Sequence, residues 1–249
     1  MTLRDVRTHY FHANATAIGG YIEKPLARII PVQSPTSLSP SGGADQASTA
    51  NFQFDPFENI MSARFTRSGV EGTFRDGNPR TRAMARVEDL DVLGVIHADE
   101  LFAYISTEHP GKVPDVPIVK FGKSAINGLR VGNASLTVHL NTELLDSKDF
   151  PTQPHLREIA IWKWAKKDFA SSKEFLQCSL VSKIDINGTL PGRQVEPNII
   201  EIDNIGRMHL AELLVSGTSY ELIMMRLELG CPTVGSATMS ATKVNGGGH

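Results

Sequence analysis

TRAMARVEDLDVLGVIHADELFAYIST, residues 81–107, is the run on which the assignment of fold class rests. It contains no proline and is rich in Val, Ile, Leu and aromatic residues. In an extended chain, successive side chains point to opposite faces. Val87, Leu93, Val95, Leu101, Ala103 and Ile105 then share one face, and Ile96, Ala98, Phe102 and Tyr104 share the other. Both faces are partly apolar, as a strand inside a sandwich or stacked sheet requires. Leu90, Leu93 and Leu101 can also be laid on helical spacing, but Val, Ile, Phe and Tyr favour a pleated surface. Leu93-Gly94 suits a bend that divides the stretch into two strands.

Working outward, Arg75–Pro79 (RDGNP) puts Asp-Gly where a hairpin demands it. Ile60–Phe74 reads as the strand feeding that hairpin, and Phe52 and Phe54 alternate toward a core. Residues 33–50, QSPTSLSPSGGADQASTA, have the Pro, Ser and Gly content of a loop. Ala13, Ala15, Ala17 and Gly19 suggest a small-residue strand ended by Pro25, with a short apolar run over Leu26–Val32. Residues 1–50 are therefore read as an N-terminal arm and loop, and 51–249 as a β domain. Beyond the central stretch, Ile118–Phe121 is a short strand and 124–140 a hairpin about Val131-Gly132-Asn133. Residues 151–177 show a stripe of Ile161, Trp164, Ala165 and Phe169 with Lys163, Lys166 and Lys167 off it, which predicts a helical insertion. Strands follow at Ser179–Ile186, Ile199–Ile202, Arg207–Val215, Tyr220–Leu229 and Val234–Val244. The expected fold is mainly β, a large antiparallel sandwich or stacked-sheet domain with one helical insertion.

A chain of 249 residues with 41% hydrophobic and 21% charged content buries a substantial core without staples. A net charge of −2 gives no electrostatic footprint for nucleic acid or acidic membranes. No segment approaches the length of an apolar membrane span. Residues 1–20 lack a signal-peptide core, which favours the cytoplasm. Cys178 and Cys231 are expected as buried free thiols, with a disulfide between them as the alternative.

Catalytic signatures are missing: there is no GxSxG elbow, phosphate-binding loop, dinucleotide fingerprint or CxxC pair. The candidate metal group is His97, Asp99 and Glu100, with His109, set against the ordinary reading of a polar strand edge. Glu88, Asp89 and Asp91 read as solvated carboxylates. Trp162, Trp164 and Tyr104 are the candidate lining of a groove for a glycan or small ligand. No catalytic residue and no cofactor is expected.

One pattern repeats. His97-Ala98-Asp99-Glu100-Leu101 and His209-Leu210-Ala211-Glu212-Leu213 share His-x-x-Glu-Leu, each following a glycine, Gly94 or Gly206. The bend Leu93-Gly94-Val95 followed by Ile96-His97-Ala98-Asp99 resembles the opening repeat of bacterial surface-protein domains catalogued as choice-of-anchor P. The likeness continues through Ile126–Gly132, Pro197-Asn198, Gly206–Leu210, Leu222–Leu229 and Gly235–Ala241. It spans about Ala83 to Ala241. That resemblance implies a β-rich module at the cell surface with no established catalytic residues. The leading expectation is a non-catalytic structural or self-assembling β protein, partnered by itself. It would form a filament, sheet or surface layer by strand or arm exchange through residues 8–32. The alternative is a glycan- or small-ligand-binding β module. A hydrolase built on His97, Asp99 and Glu100 is the third reading.

Overall fold

The structure, a computed structural model, describes residues 9–24, 27–55, 60–109, 117–143, 175–216, 219–230 and 233–245. These residues form strands and turns, with no helix among them. In chain order the strands are β1 (Ala13–Lys24), β2 (Arg28–Gln33), β3 (Thr36–Ser37), β4 (Gly43–Phe54), β5 (Met61–Arg75) and β6 (Asn78–Val92). There follow β7 (Ile96–Glu108), β8 (Ile118–Lys120), β9 (Ala125–Asn127), β10 (Leu129–Val131), β11 (Ala134–Leu140) and β12 (Phe175–Ser179). The last are β13 (Val181–Asn187), β14 (Gly192–Glu196), β15 (Ile199–Ile202), β16 (Gly206–Ser216), β17 (Ser219–Leu229) and β18 (Val234–Asn245).

Two nine-stranded sheets result. The first runs β14-β15-β16-β17-β18-β1-β2, with β12 on β16 and β3 on β1. The second runs β13-β11-β10-β7-β6-β5-β4, with β8 and β9 on β7. Pairing is antiparallel, as in β1–β18, β6–β7 and β16–β17. β1 and β18 lie over β5, β6 and β7, so the sheets stack as a sandwich. Ile18, Ile22, Val87, Leu101, Ile105, Leu222 and Met239 are among the buried side chains between them.

Local chemistry explains the turns. Asp76 (φ 51°) and Gly77 (φ 80°) are both left-handed, and Arg75 pairs with Asn78, the geometry of a tight primed hairpin. At the β6–β7 turn, Leu93 (φ 56°) and Gly94 (φ 64°) reverse the chain, and Val95 N–H donates to Val92 C=O at 3.1 Å. Leu180 carries the chain from one sheet to the other: β12 pairs with β16 and β13 with β11. Its N–H donates to Ala211 C=O and its C=O accepts from Asn141 N–H, one bond to each side.

Each sheet is crossed by one row of residues that breaks the strand alternation. In the second sheet the row is Asn51, Arg64, Asp89, Asp99 and Gly128, the successive positions that the strand-to-strand pairing skips or stops short of. Every other member, Asn51, Asp89 and Gly128, is left-handed. On β7 the core residues Ala98 and Leu101 are three apart across the row, where strict alternation would space them by two. Val87 and Leu90 on β6 do the same. In the first sheet the row is Leu180, Ala211, Met224, Ser240, Ala17 and Ser34, with Ala211, Ser240 and Ser34 left-handed. This second row is buried. Ser240 Oγ accepts from Ala103 N–H at 2.9 Å and donates to Ala85 C=O at 2.7 Å, tying β18 to β6 and β7 across the sandwich.

Several expectations need correction. Ile96 and Ala98 are core residues on the same side as Leu101, Ala103 and Ile105, because the row at Asp99 shifts the alternation. Leu93 and Val95 lie in the turn, not in a strand. Residues 43–50, read as loop, are the first part of β4, held by backbone pairing to β5. The strand read over Ser179–Ile186 is divided between the sheets at Leu180. Most of the helix read over 151–177 falls outside the described residues, and its last positions, 175–177, open β12 instead. Residues 13–24 are an interior strand between β18 and β2. Cys178 is a buried free thiol, and burial pushes its ionisation up. Cys231 lies outside the described residues.

Candidate functional site

His97, Asp99 and Glu100 do not converge. His97 Nδ1 lies 2.8 Å from Asp91 Oδ2, and its Nε2 faces Gly94 C=O at 3.3 Å. Asp91 Oδ1 also accepts from Gly94 N–H at 3.0 Å, so the histidine and the aspartate clamp the turn that Leu93-Gly94 makes. Asp99 faces Arg130 at 3.5 Å. Glu100 binds Arg86 at 3.1 Å and accepts from Asn127 at 2.8 Å. His109 is buried beyond the far end of β7, its ring 5.0 Å from that of His9. Among the described residues no group of three or more His, Cys, Asp or Glu is placed to hold a metal ion.

The outer face of the second sheet is instead a ladder of alternating charge. Asp89 and Glu88 both pair with Arg64 on β5, Glu88 and Glu100 both face Arg86, and Arg86 stacks over Phe102 at 4.7 Å. Glu88 and Glu100 are directly opposite across β6–β7, where like charges repel. Arg86 between them removes that cost. Tyr104 sits farther along the same strand, its ring against Gly122. Any Cβ at position 122 would meet the Tyr104 ring at 2.5 Å, so the glycine is what lets the loop lie flat on it. Trp162 and Trp164 lie outside the described residues.

A denser polar cluster sits on the first sheet, where sequence reasoning saw only the repeated His-x-x-Glu. Glu212 on β16 accepts Arg226 Nε at 2.6 Å and a second guanidinium nitrogen at 2.9 Å, a bidentate pair across β16–β17. Gln177 on β12 donates to the same carboxylate at 2.7 Å. Arg226 also binds Glu228. His209, directly opposite Arg226, has Nδ1 3.4 Å from Glu212 and Nε2 3.4 Å from Glu228, and neither nitrogen makes a hydrogen bond. Burial, the largest single influence, works to raise the Glu212 pKa, but Arg226 and His209 together outweigh it and hold the carboxyl at about 2. Glu228 is held below its ordinary value in the same way, against its own burial and chiefly by Arg226. Arg226 is raised, first by its hydrogen bond to Glu212.

This chemistry is that of a lock. A carboxylate that accepts three hydrogen bonds and titrates near 2 is a poor proton acceptor at neutral pH. It fastens β12, β16 and β17 together. An open depression beside it, at the β15–β16 turn, is lined by Glu201, Asp203, Arg207 and Glu228. Glu201 is already paired to Arg193 at 2.7 Å. The signal that could have found the cluster is the echo itself: the third residue of each His-x-x-Glu-Leu, Asp99 and Ala211, is the member of its sheet's row.

Residues 9–161 match the family described as a domain of unknown function, DUF8256. The match covers more than half of the chain, and the protein belongs to that family. It takes in β1 to β11, while the Glu212–Arg226 cluster lies beyond it. No curated protein and no solved structure matches the chain.

Proposed function

We propose that this member of the DUF8256 family is a non-catalytic structural protein, a β-sandwich module that associates with further copies of itself. The observation that carries this reading is the flank where, among the described residues, both sheets end in strands paired on one side only, β2 on the first and β4 on the second. An edge strand presents unpaired backbone N–H and C=O groups to any neighbouring strand. The same flank exposes apolar side chains: Ile29 is 70% and Val32 53% exposed, beside Tyr21 on β1. The charged side chains support the reading from the other direction. His97, Asp99, Glu100 and Glu212 each serve a turn, a ladder or a lock, and they do not share a cavity.

Exchange of the whole 8–32 arm is disfavoured, since β1 is an interior strand whose Ala13, Ala15, Ala17 and Ile18 are buried. Association through edges leaves that core intact. The resemblance to choice-of-anchor P domains adds the cell surface as the place where a layer or filament of such modules would serve. Sedimentation velocity of the full chain over a wide concentration range tests the reading. Sedimentation coefficients that grow with concentration are expected. A monomer at every concentration would overturn it and turn attention to glycan or small-ligand binding.

A further inference from the structure

We propose that two copies of the chain join through β4, antiparallel about a twofold axis at Ala47, so that their second sheets become one continuous sheet. This rests on the reading above and names the surface and the partner. The four terminal strands differ in how well they are guarded. β2 is six residues long and carries Pro31, which has no N–H to offer, beside a break in its register with β1. β13 carries Lys183 and Asp185, ion-paired at 2.6 Å. β14 is five residues long and carries Arg193 and Glu196. β4 is 12 residues long and contains no Pro, Lys or Arg. Its one charge, Asp45, is turned onto its own chain and accepts Ser37 N–H at 3.2 Å. Guards of the usual kind are therefore present on three edges and missing from the fourth.

Asn51 (φ 54°) interrupts β4 at one end and Gly43 (φ 106°) at the other, which leaves Ala44–Ala50 as the extended stretch offered for pairing. Ala44, Asp45, Gln46, Ser48 and Ala50 are all exposed. A second copy is the occupant that fits. A twofold axis perpendicular to the sheet places Ala47 opposite Ala47, Gln46 opposite Ser48, Asp45 opposite Thr49 and Ala44 opposite Ala50. No like charges face each other in that register, and a short side chain, an alanine, lies on the axis. An extended peptide from another protein would need pockets for its alternate side chains. The side chains along this edge offer short polar contacts instead.

The test uses the full chain with single substitutions Gln46→Cys, Ala47→Cys and Ser48→Cys, run oxidised on non-reducing gels beside the parent. Facing Cα atoms in an antiparallel pair are about 4.5–5.5 Å apart, within reach of a disulfide. Ala47→Cys is expected to run mainly as a covalent dimer, well above the parent and the two flanking variants. Ser48→Lys, at an exposed position that leaves folding intact, gives β4 an edge lysine of the kind β13 carries and is expected to weaken association by about tenfold or more. If the parent associates while Ala47→Cys does not cross-link and Ser48→Lys is inert, β4 is the wrong surface and the structural reading stands. If the parent is monomeric, both fall. A monomer that shields β4 only when an extended peptide is added assigns the edge to a different occupant and also overturns the proposal.

Discussion

Arg226 and Glu212 show how a buried charge is made safe. The carboxylate side chain is only 4% exposed, yet it stays ionised because the guanidinium grips it with two hydrogen bonds. Its pKa of about 2 lies below the ordinary 4.5, so its contribution to stability is full above pH 4.5 and is lost as pH falls through 2. That contribution is roughly 3 kcal/mol. Urea midpoints measured at pH 5 and pH 2.5 should fall steeply for the parent and less for Glu212→Gln, which starts lower because it leaves Arg226 without its main partner. Ser240 is the second residue with a defined cost. Its hydroxyl serves one N–H and one C=O in the sandwich interior, and Ser240→Ala should lose about 1–3 kcal/mol in urea unfolding. Sequence reading reached His209 and Glu212 through their echo of His97 and Glu100. It did not reach Arg226 or Glu228, because those lie across a strand pairing that the echo does not encode.

At the scale of elements, the rows that cross each sheet account for what alternation alone misread. Val87, Leu101, Ala103 and Ile105 were correctly placed together, as was the bend at Leu93-Gly94. Ile96 and Ala98 were assigned to the wrong face because an extra residue, Asp99, intervenes and shifts the alternation by one. Such a row is invisible along one strand; it exists only once Asn51, Arg64, Asp89 and Asp99 are aligned across four strands with Gly128 at the bend between β9 and β10. Asp89 separates backbone from charge here. Asn keeps the tolerance for left-handed φ and loses only an exposed ion pair, so Asp89→Asn should stay within about 0.5 kcal/mol of the parent. Asp89→Val forces a β-branched residue into the same φ and should cost about 1–3 kcal/mol, read by thermal or urea unfolding. The misreading of 43–50 has a different cause. Ala, Ser, Thr and Gly there have the composition of a loop, and pairing with β5 overrides it.

For the whole molecule, the sandwich, its antiparallel order and its main hairpins were legible, because Asp76-Gly77 and Gly132-Asn133 carry turn chemistry that stands in the sequence itself. Which strands end the sheets was not, since edge position follows from pairing among distant strands. That property is what the functional account turns on. Among the described residues β4 is the long edge strand without Pro, Lys or Arg, and copies that met there would leave the core of each chain undisturbed. Hydrogen exchange of the β4 amides, compared between dilute and concentrated protein, tests this claim most directly. Slower exchange over residues 43–50 at high concentration, with β13 and β14 unchanged, is expected. Exchange at β4 that is fast and the same at both concentrations would contradict it.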